Sequence, residues 1–535
     1  MKPHDLILVS TLTPPKDAGE PAVYAPLRLS VHGIPAVIPF LQALAAGTPL
    51  QEIASRLQAA ASSYRSPVLT AFYLSDFLRR HGKTTKVIPC YATDKETLRE
   101  ALLDGAHVVG ISSTWIADDA GVEQLREAAS YVRSIDPEIP IVVGGVGVQK
   151  ALRAKTLEET SPDGRLGAQS AVPPFFSDPS VDAPISAFVL GSSGEDTLLH
   201  IIEAARSRRP LGDIPNLSLV TAGGYRRTPE SEEPCHLDDN PIDWSLYPPQ
   251  PETPVRMGTG CPHHCRFCDF TGLYPTRQRS LESVIQELKT LAPLPDGSRR
   301  VVFTDDNLGA SRAHLMALAK RLIGERVQIS WRAFLRADVV DADLAAALKE
   351  SGCRECLLGI ESGHPDILKN MKKQLDPDRA LMAIRRLDDV GIGTLNTFIV
   401  GFPGETAATL ETTAQFLSAI PHGDTANAVH RYYLFRFQVA PLAGISTRSL
   451  RDRFGLSGMW QEWSHKTMNS EEAALAVRDL FLSVRGPSHA YWELIPEDWS
   501  AAKARRVLEA RDQVQKTALG GATPDIKGLL ALTLS

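Results

Sequence analysis

Short apolar runs alternate with amphipathic stretches along most of the chain, and their order predicts two successive α/β units. Asp5-Leu-Ile-Leu-Val-Ser10 has the unbroken apolar character of a strand buried on both faces. A Pro-broken stretch from Thr11 to about Pro49 follows it. Leu69, Phe72, Leu74, Phe77 and Leu78 then mark a helix over 67–81 that stops at Gly82. Strands are expected at 86–89, 107–111, 140–145 and 187–191, with helices at 95–103, 121–134 and 195–205 between and after them. Strands alternating with helices build a parallel, doubly wound sheet whose ligands sit at the carboxyl ends of the strands. Small residues gather where those ends fall: Ser112-Ser113-Thr114, Gly144-Gly145 and Gly191-Ser-Ser-Gly194.

The pattern resumes at Pro254-Val-Arg-Met-Gly258. Helices at 281–291, 311–323, 341–351, 378–390 and 406–418 alternate with strands at 300–304, 328–332, 355–359, 394–400 and 429–435. Six such steps suit a partial (β/α)6 barrel, open on one side, with polar groups at its strand ends. Between the two units, Glu230-Ser-Glu-Glu-Pro234 and Tyr247-Pro-Pro-Gln-Pro251 read as an extended strap. The expected division is a Rossmann-like domain at 1–220, a linker at 221–253, the barrel at 254–440 and a mostly helical region at 441–535. This last region carries Trp460, Trp463, Trp492 and Trp499 with His465 and His489, and is placed as a lid over the barrel mouth.

Composition narrows the class. With 535 residues, 43% hydrophobic and 22% charged, the chain is globular and long enough for several domains. A formal net charge of −6 without a basic block gives no support for nucleic-acid binding, and no apolar run reaches membrane-span length. Seven cysteines, three of them clustered, do not suggest a disulfide framework, and a cytoplasmic location is expected.

The clustered cysteines carry the chemistry. Cys261-Pro-His-His-Cys265-Arg-Phe-Cys268 spaces three thiolates C-x3-C-x2-C on one short loop. They suit three irons of a [4Fe–4S] cubane with its fourth iron left open, whereas electron-transfer clusters use four cysteines. Zinc is the competing reading, since His263 and His264 lie between the thiols. The spacing, with Phe267 as its aromatic, resembles the motif of radical S-adenosylmethionine (SAM) enzymes, in which SAM chelates the open iron.

The resemblance continues through the barrel. "LLGIESG" and "FIVGFPGET" are close to family signatures. It implies that Asp305 and Asp306 receive the SAM ammonium, that Arg332 and Arg336 bind its carboxylate bidentately, that Glu361 takes the ribose hydroxyls, and that Gly401 passes close to adenine. Each also has a plain reading as a barrel-rim hydrogen bond. "VVGISS", "IVVGG" and "FVLGSSGEDTLL", in that order ahead of the cysteine motif, resemble the cobalamin-binding domain of cobalamin-dependent radical SAM enzymes. The cofactor contacts so implied are Ser112, Ser113, Gly144, Gly145, Gly191 and Glu195.

Asp104-Gly-Ala-His107-Val-Val-Gly110 imitates a cobalt-ligating D-x-H-x-x-G but holds one residue too many, at a strand entrance; His107 is read as a packed histidine. A residue of Ser63–Pro67 would then approach the cobalt. Arg65 there has two readings: a surface or phosphate-binding arginine, or a non-coordinating cation that favours Co(I), as in family members that methylate tryptophan C2. Cys353 and Cys356 are read as buried thiols rather than a second cluster.

The resemblance implies a methyltransferase that moves a methyl group from SAM, by way of cobalamin, to a carbon of a natural-product, amino-acid or peptide substrate. An electron donor of flavodoxin or ferredoxin type would serve it. The alternatives are a cobalamin-dependent rearrangement or oxidative cyclisation and, in another class, a non-catalytic cobalamin or redox sensor. A methylthiotransferase is disfavoured, because the N-terminal unit offers only Cys90.

Overall fold

The computed structural model describes residues 4–12, 69–114, 116, 119–160, 175–191, 193–234, 236–490 and 499–519. Arg65, Trp492 and the segment 63–67 lie outside these.

The N-terminal sheet is formed by β1 (His4–Thr11), β2 (Thr85–Cys90), β3 (Ala106–Ser112), β4 (Ile141–Gly144), β5 (Ala187–Val189), β6 (Leu217–Thr221) and β7 (Gly224–Arg227) in the order β2-β1-β3-β4-β5-β6-β7. The first five are parallel. Alternation along them sorts side chains to two faces. Ile7, Val9, Val109, Ile111, Ile141 and Val143 pack with Leu98, Leu125 and Val132 of the helices Lys95–Asp104 and Asp119–Ile135. Leu6, Leu8, Val108 and Val142 pack with Phe77 of Leu69–Arg80 and Ile201 of Glu195–Arg206 on the other face. Helices on both faces bury the strands and leave the strand ends as the place for a ligand.

Two features differ from expectation. The helix Val146–Thr160 directly follows Gly144-Gly145, where no helix was expected. The start of the supposed linker is a hairpin: β6 joins β5 antiparallel and pairs with β7, so the sheet runs on past residue 221. Ala222-Gly223 is the turn, a signal overshadowed by the Pro- and acid-rich stretch behind it.

The second sheet contains β8 (Thr253–Val255), β11 (Arg300–Phe303), β12 (Ser330–Leu335), β13 (Cys353–Glu361), β14 (Gly393–Val400), β15 (His430–Arg436) and β19 (Ser488–His489), all parallel and in chain order. The helices Leu281–Lys289, Arg312–Gly324, Ala342–Glu350, Pro377–Asp389 and Ala407–Ser418 cover its outer face. A small ribbon of β9 (Gly258–Thr259) and β10 (Arg277–Gln278) closes the base of the cysteine loop. The C-terminal region is less uniformly helical than expected. Beside the helices Arg448–Phe454, Ser470–Ser483 and Ala501–Leu519 it forms an antiparallel sheet of β16 (Ser457–Met459), β17 (Glu462–His465) and β18 (Met468–Asn469), and it donates β19 to the barrel. Those strands are two to four residues long, below the length at which alternation is legible. No helix among the described residues is long and apolar enough to cross a membrane.

Candidate functional site

The cysteine loop leaves the barrel mouth after β8 and β9 and is pinned at its centre. The Arg266 N–H donates to Met371 O (2.8 Å), its Nη1 to Asn370 O (2.9 Å), and its carbonyl accepts from Ile445 N (2.8 Å). Cys265 is buried, while Cys261 and Cys268 are half-buried. Burial pushes the Cys268 thiol up to about 11 and raises that of Cys265, which Lys373 and Arg336 pull back down. Soft thiolate donors on one pinned loop fit an iron–sulfur cluster.

Cys265 faces the strand ends. Its neighbours in the electrostatic sense are Lys373, Arg336, Glu361 and Cys261. Glu361 ends β13 with φ at +73°, in the left-handed region, where β13 shifts register against β14. Such a non-glycine conformation costs about 1–3 kcal/mol and persists where the surroundings over-determine it. Here they do: Glu361 Oε1 accepts from Lys373 Nζ at 3.0 Å, and Lys373 lies 5.7 Å over the Phe267 ring. A Cβ at Gly359 would come within 2.5 Å of that Glu361 oxygen, so a side chain there would displace the pair from its present position. Lys373 was not singled out in the sequence; nothing local marks it apart from the adjacent lysine.

The two arginines of "WRAFLRAD" part company. Arg336, buried just past the end of β12, donates from Nε and Nη2 to Asp338 (3.0 and 2.9 Å) and from Nη2 to Gln374 O (3.0 Å), so Nη1 is left for a ligand. Arg332 sits near the start of β12 and is bound bidentately by Glu252 (2.8 and 2.6 Å), with Glu355 3.6 Å away. The expectation that Arg332 meets a carboxylate ligand is therefore corrected. It lies at the wrong end of its strand and its charge is already neutralised.

Asp305 and Asp306 follow β11. Asp305 Oδ2 accepts from Met257 N at 2.9 Å, and burial lifts its carboxyl to about 6 against the pull of that bond and of Arg256. It braces the strand that delivers the cysteines. Burial also raises Asp306, which Arg256 opposes, and Asp306 carries no hydrogen bond to a described residue. The Gly401 backbone is engaged on both sides: its N–H donates to Glu405, and its carbonyl accepts from His465 Nε2 at 2.9 Å. Burial pushes the Glu405 carboxyl up to about 8 despite the N–H groups of Gly401 and Phe402. With a folded pKa above the unfolded value of about 4.3, its contribution is full at low pH and is lost as pH rises through 8. The melting temperature of the protein should fall between about pH 5 and pH 8.5, and that of Glu405→Gln, neutral throughout, should fall less.

At the N-terminal sheet, Ser112, Gly144, Gly145, Gly191 and Glu195 line one cavity. Ser113 does not, a correction: fully buried, it donates to Gly144 O (2.9 Å) and accepts from Val148 N (3.2 Å), capping the helix behind the loop. Gln149, not anticipated, also lines the cavity and holds the β5 loop through Leu190 O (2.9 Å) and Gly191 O (2.8 Å). Glu233 of the strap accepts from Gly194 N and Thr197 N at the N-terminus of the helix Glu195–Arg206. Glu195 Oε2 is buried with no partner, and burial raises its carboxyl, so this wall presents an unsatisfied polar atom. His107, near the entrance of β3, is remote from this end. His107→Ala should leave the visible spectrum of bound cobalamin unchanged, and a change in axial ligation would overturn that placement.

The same cavity, of about 330 Å³, continues to Arg256, Gly258, Tyr274, Thr304, Asp305 and Asp306 at the barrel mouth. One space thus opens on the carboxyl ends of both sheets.

Residues 255–417 match the family model of the radical SAM superfamily, and residues 56–162 that of the B12 binding domain. An uncharacterized methyltransferase of Pyrococcus horikoshii is 31% identical over 248 residues, which cover 44% of this chain and 53% of that protein. The chain spans about half the length of the curated relatives it matches first. Among solved structures, the radical SAM methyltransferase TsrM from Kitasatospora setae superposes with a TM-score of 0.61 at 16% identity, covering 99% of this chain and 98% of that one. The cobalamin-dependent SAM radical enzyme OxsB, with aqua-cobalamin bound, gives 0.57 at 14% identity, over 84% and 69%.

Proposed function

From a chain that belongs to the cobalamin-dependent radical SAM enzymes, we infer a C-methyltransferase that moves a methyl group from SAM to a carbon of a small-molecule, amino-acid or peptide substrate. The observation that carries this reading is the single cavity opening on both sheets, which lets one ligand at the barrel mouth meet another at the Rossmann-like strand ends. When bound, the cluster and SAM supply one-electron chemistry for an unactivated C–H bond, and cobalamin supplies a methyl carrier.

The protein's own groups position these partners. Cys261, Cys265 and Cys268 hold iron, with Phe267 packed beneath Lys373 beside them. Asp306 accepts from the SAM ammonium, Arg336 Nη1 donates to its carboxylate, and Glu361 accepts from a ribose hydroxyl. Ser112, Gly144, Gly145, Gly191 and Glu195 receive cobalamin, Glu195 through its buried, unpartnered Oε2. Leu357, Leu395 and Tyr433, with Phe334 and Phe435, form an apolar group on the barrel face opposite the helix-packed core. The tryptophan bound in the TsrM structure supports the amino-acid class. The family resemblance, rather than any described contact, offers Arg65 for the cobalamin side, with a surface or phosphate-binding arginine as the other reading, and a flavodoxin or ferredoxin for electron supply.

The test is anaerobic turnover of the reconstituted protein with methyl-deuterated SAM, reductant and a panel of amino acids and peptides. Labelled methyl on a product carbon, with S-adenosylhomocysteine and 5′-deoxyadenosine, is the expected result. S-adenosylhomocysteine alone would assign the non-radical route to an aromatic carbon, and Arg65→Ala would then reduce it. 5′-Deoxyadenosine without label in any product would replace the reading with a rearrangement or cyclisation. Bound cobalamin with neither nucleoside would leave a sensor.

A further inference from the structure

We propose that Lys150 is a positioning residue, whose ion pair with Asp269 fastens the cysteine loop to the cobalamin-binding domain and sets the spacing of the two halves of the cavity. Lys150 Nζ stands 2.5 Å from Asp269 Oδ2, and both side chains are largely buried, at 15% and 16% exposure. Asp269 immediately follows Cys268, so the pair grips the chain one residue beyond a cluster ligand. Lys150 Nζ also lies 4.3 Å over the ring of Phe270, which lines the cavity. Arg153, three residues on and hence on the same helix face, sets its guanidinium against Gly272. A Cβ there would come within 3.3 Å of Arg153, and φ is +66°, so the loop is shaped to receive that side chain.

The helix that makes these contacts is not a neutral bracket. Val146–Thr160 begins directly after Gly144-Gly145, and Val146 and Gln149 are part of the cavity wall. One element therefore carries both the floor of the cobalamin side and the grip on the cluster side. A partly desolvated pair of this kind is held more firmly than an exposed one, since removing one partner strands the other charge away from water. Beside the packing of Phe72 against Trp244 and Tyr247 and of Leu442 in the N-terminal core, Lys150–Asp269 then holds the cysteine-loop side of the spacing between groups bound on the two sheets.

This rests on the methyltransferase reading only for its activity arm. The test uses the reconstituted holoprotein as Lys150→Met, and as the exchanged pair Lys150→Asp with Asp269→Lys. Hydrogen exchange of the amides at 270–274 should be roughly tenfold faster in Lys150→Met and recover substantially in the exchanged pair, as a local opening held by one interaction requires. Methyl transferred per 5′-deoxyadenosine formed should fall in Lys150→Met while iron, cobalamin and SAM cleavage are retained. Unchanged exchange in Lys150→Met, or no recovery in the exchanged pair, would overturn the proposal even if methyl transfer is observed. Faster exchange with recovery, but no methyl transfer in the unaltered protein, would uphold the latch and defeat the methyltransferase reading instead.

Discussion

Cys265→Ala is expected to strip the protein of its cluster while leaving both sheets folded. Cys265 is the most deeply buried of the three motif thiols, and the residue after it is anchored by hydrogen bonds to Met371, Asn370 and Ile445. The loop is therefore held by its backbone and by Arg266, not by the metal alone. Losing the thiol should cost the fold little. The cluster has no such reserve. Three thiolates already leave one iron without a protein ligand, and with two the site cannot retain a cubane. Iron should fall from about four per chain to near zero, and 5′-deoxyadenosine formation should vanish. Cys90→Ala is the control: that thiol is buried in the N-terminal sheet, 3.7 Å from Leu12 O, and its loss should leave iron unchanged. Unchanged iron in Cys265→Ala would defeat the cluster assignment.

The second large effect lies at the other end of the barrel. Glu355 accepts from Arg431 and lies 3.6 Å from Arg332, while Glu252 binds Arg332 and Arg354. Arg431 is 1% exposed and Arg332 half-buried, so Glu355 lies among buried guanidinium charge and accepts a hydrogen bond from Arg431. Removing the charged acceptor of a buried hydrogen bond costs about 1–3 kcal/mol, and more where the donor is itself charged. Glu355→Ala should lower stability by that order, read as the denaturant midpoint at constant slope. Burial works to raise the Glu355 carboxyl, but Arg431 and Arg332 outweigh it and hold it below the usual range. Its contribution is thus present above the unfolded pKa of about 4.3 and lost as pH falls below it. The deficit of Glu355→Ala against the native chain should accordingly shrink at acid pH. Replacement by Gln, which keeps the shape, should cost less than Ala.

The same network shows what one-dimensional reading cannot separate. Arg332 and Arg336 are four residues apart in one strand-like segment, and either is chemically fit to bind a carboxylate. Where β12 begins and ends relative to β11 and β13 decides that Arg336 reaches the mouth and Arg332 the floor. Ser112 and Ser113 pose the same problem at single-residue scale. Successive strand residues point to opposite sides, so a shift of one would exchange the cavity wall for the cap. The hairpin of β6 and β7 leaves little trace in one dimension because its strands are short and its turn precedes a louder linker signal.

The sequence alone determined what depends on neighbours along the chain: the two α/β repeats, because strand and helix periods are local; the trio of neighbouring thiols, because C-x3-C-x2-C fits inside one loop; and the sheet ends where glycines and serines collect. The tertiary structure decided what depends on register and on distance across the fold. It joined two cavities into one, chose Arg336 over Arg332, set Lys373 between Phe267 and Glu361, and brought Lys150 to Asp269 across 119 positions. Such pairs are fixed by the packing of whole elements, and packing leaves no periodic trace in a single sequence.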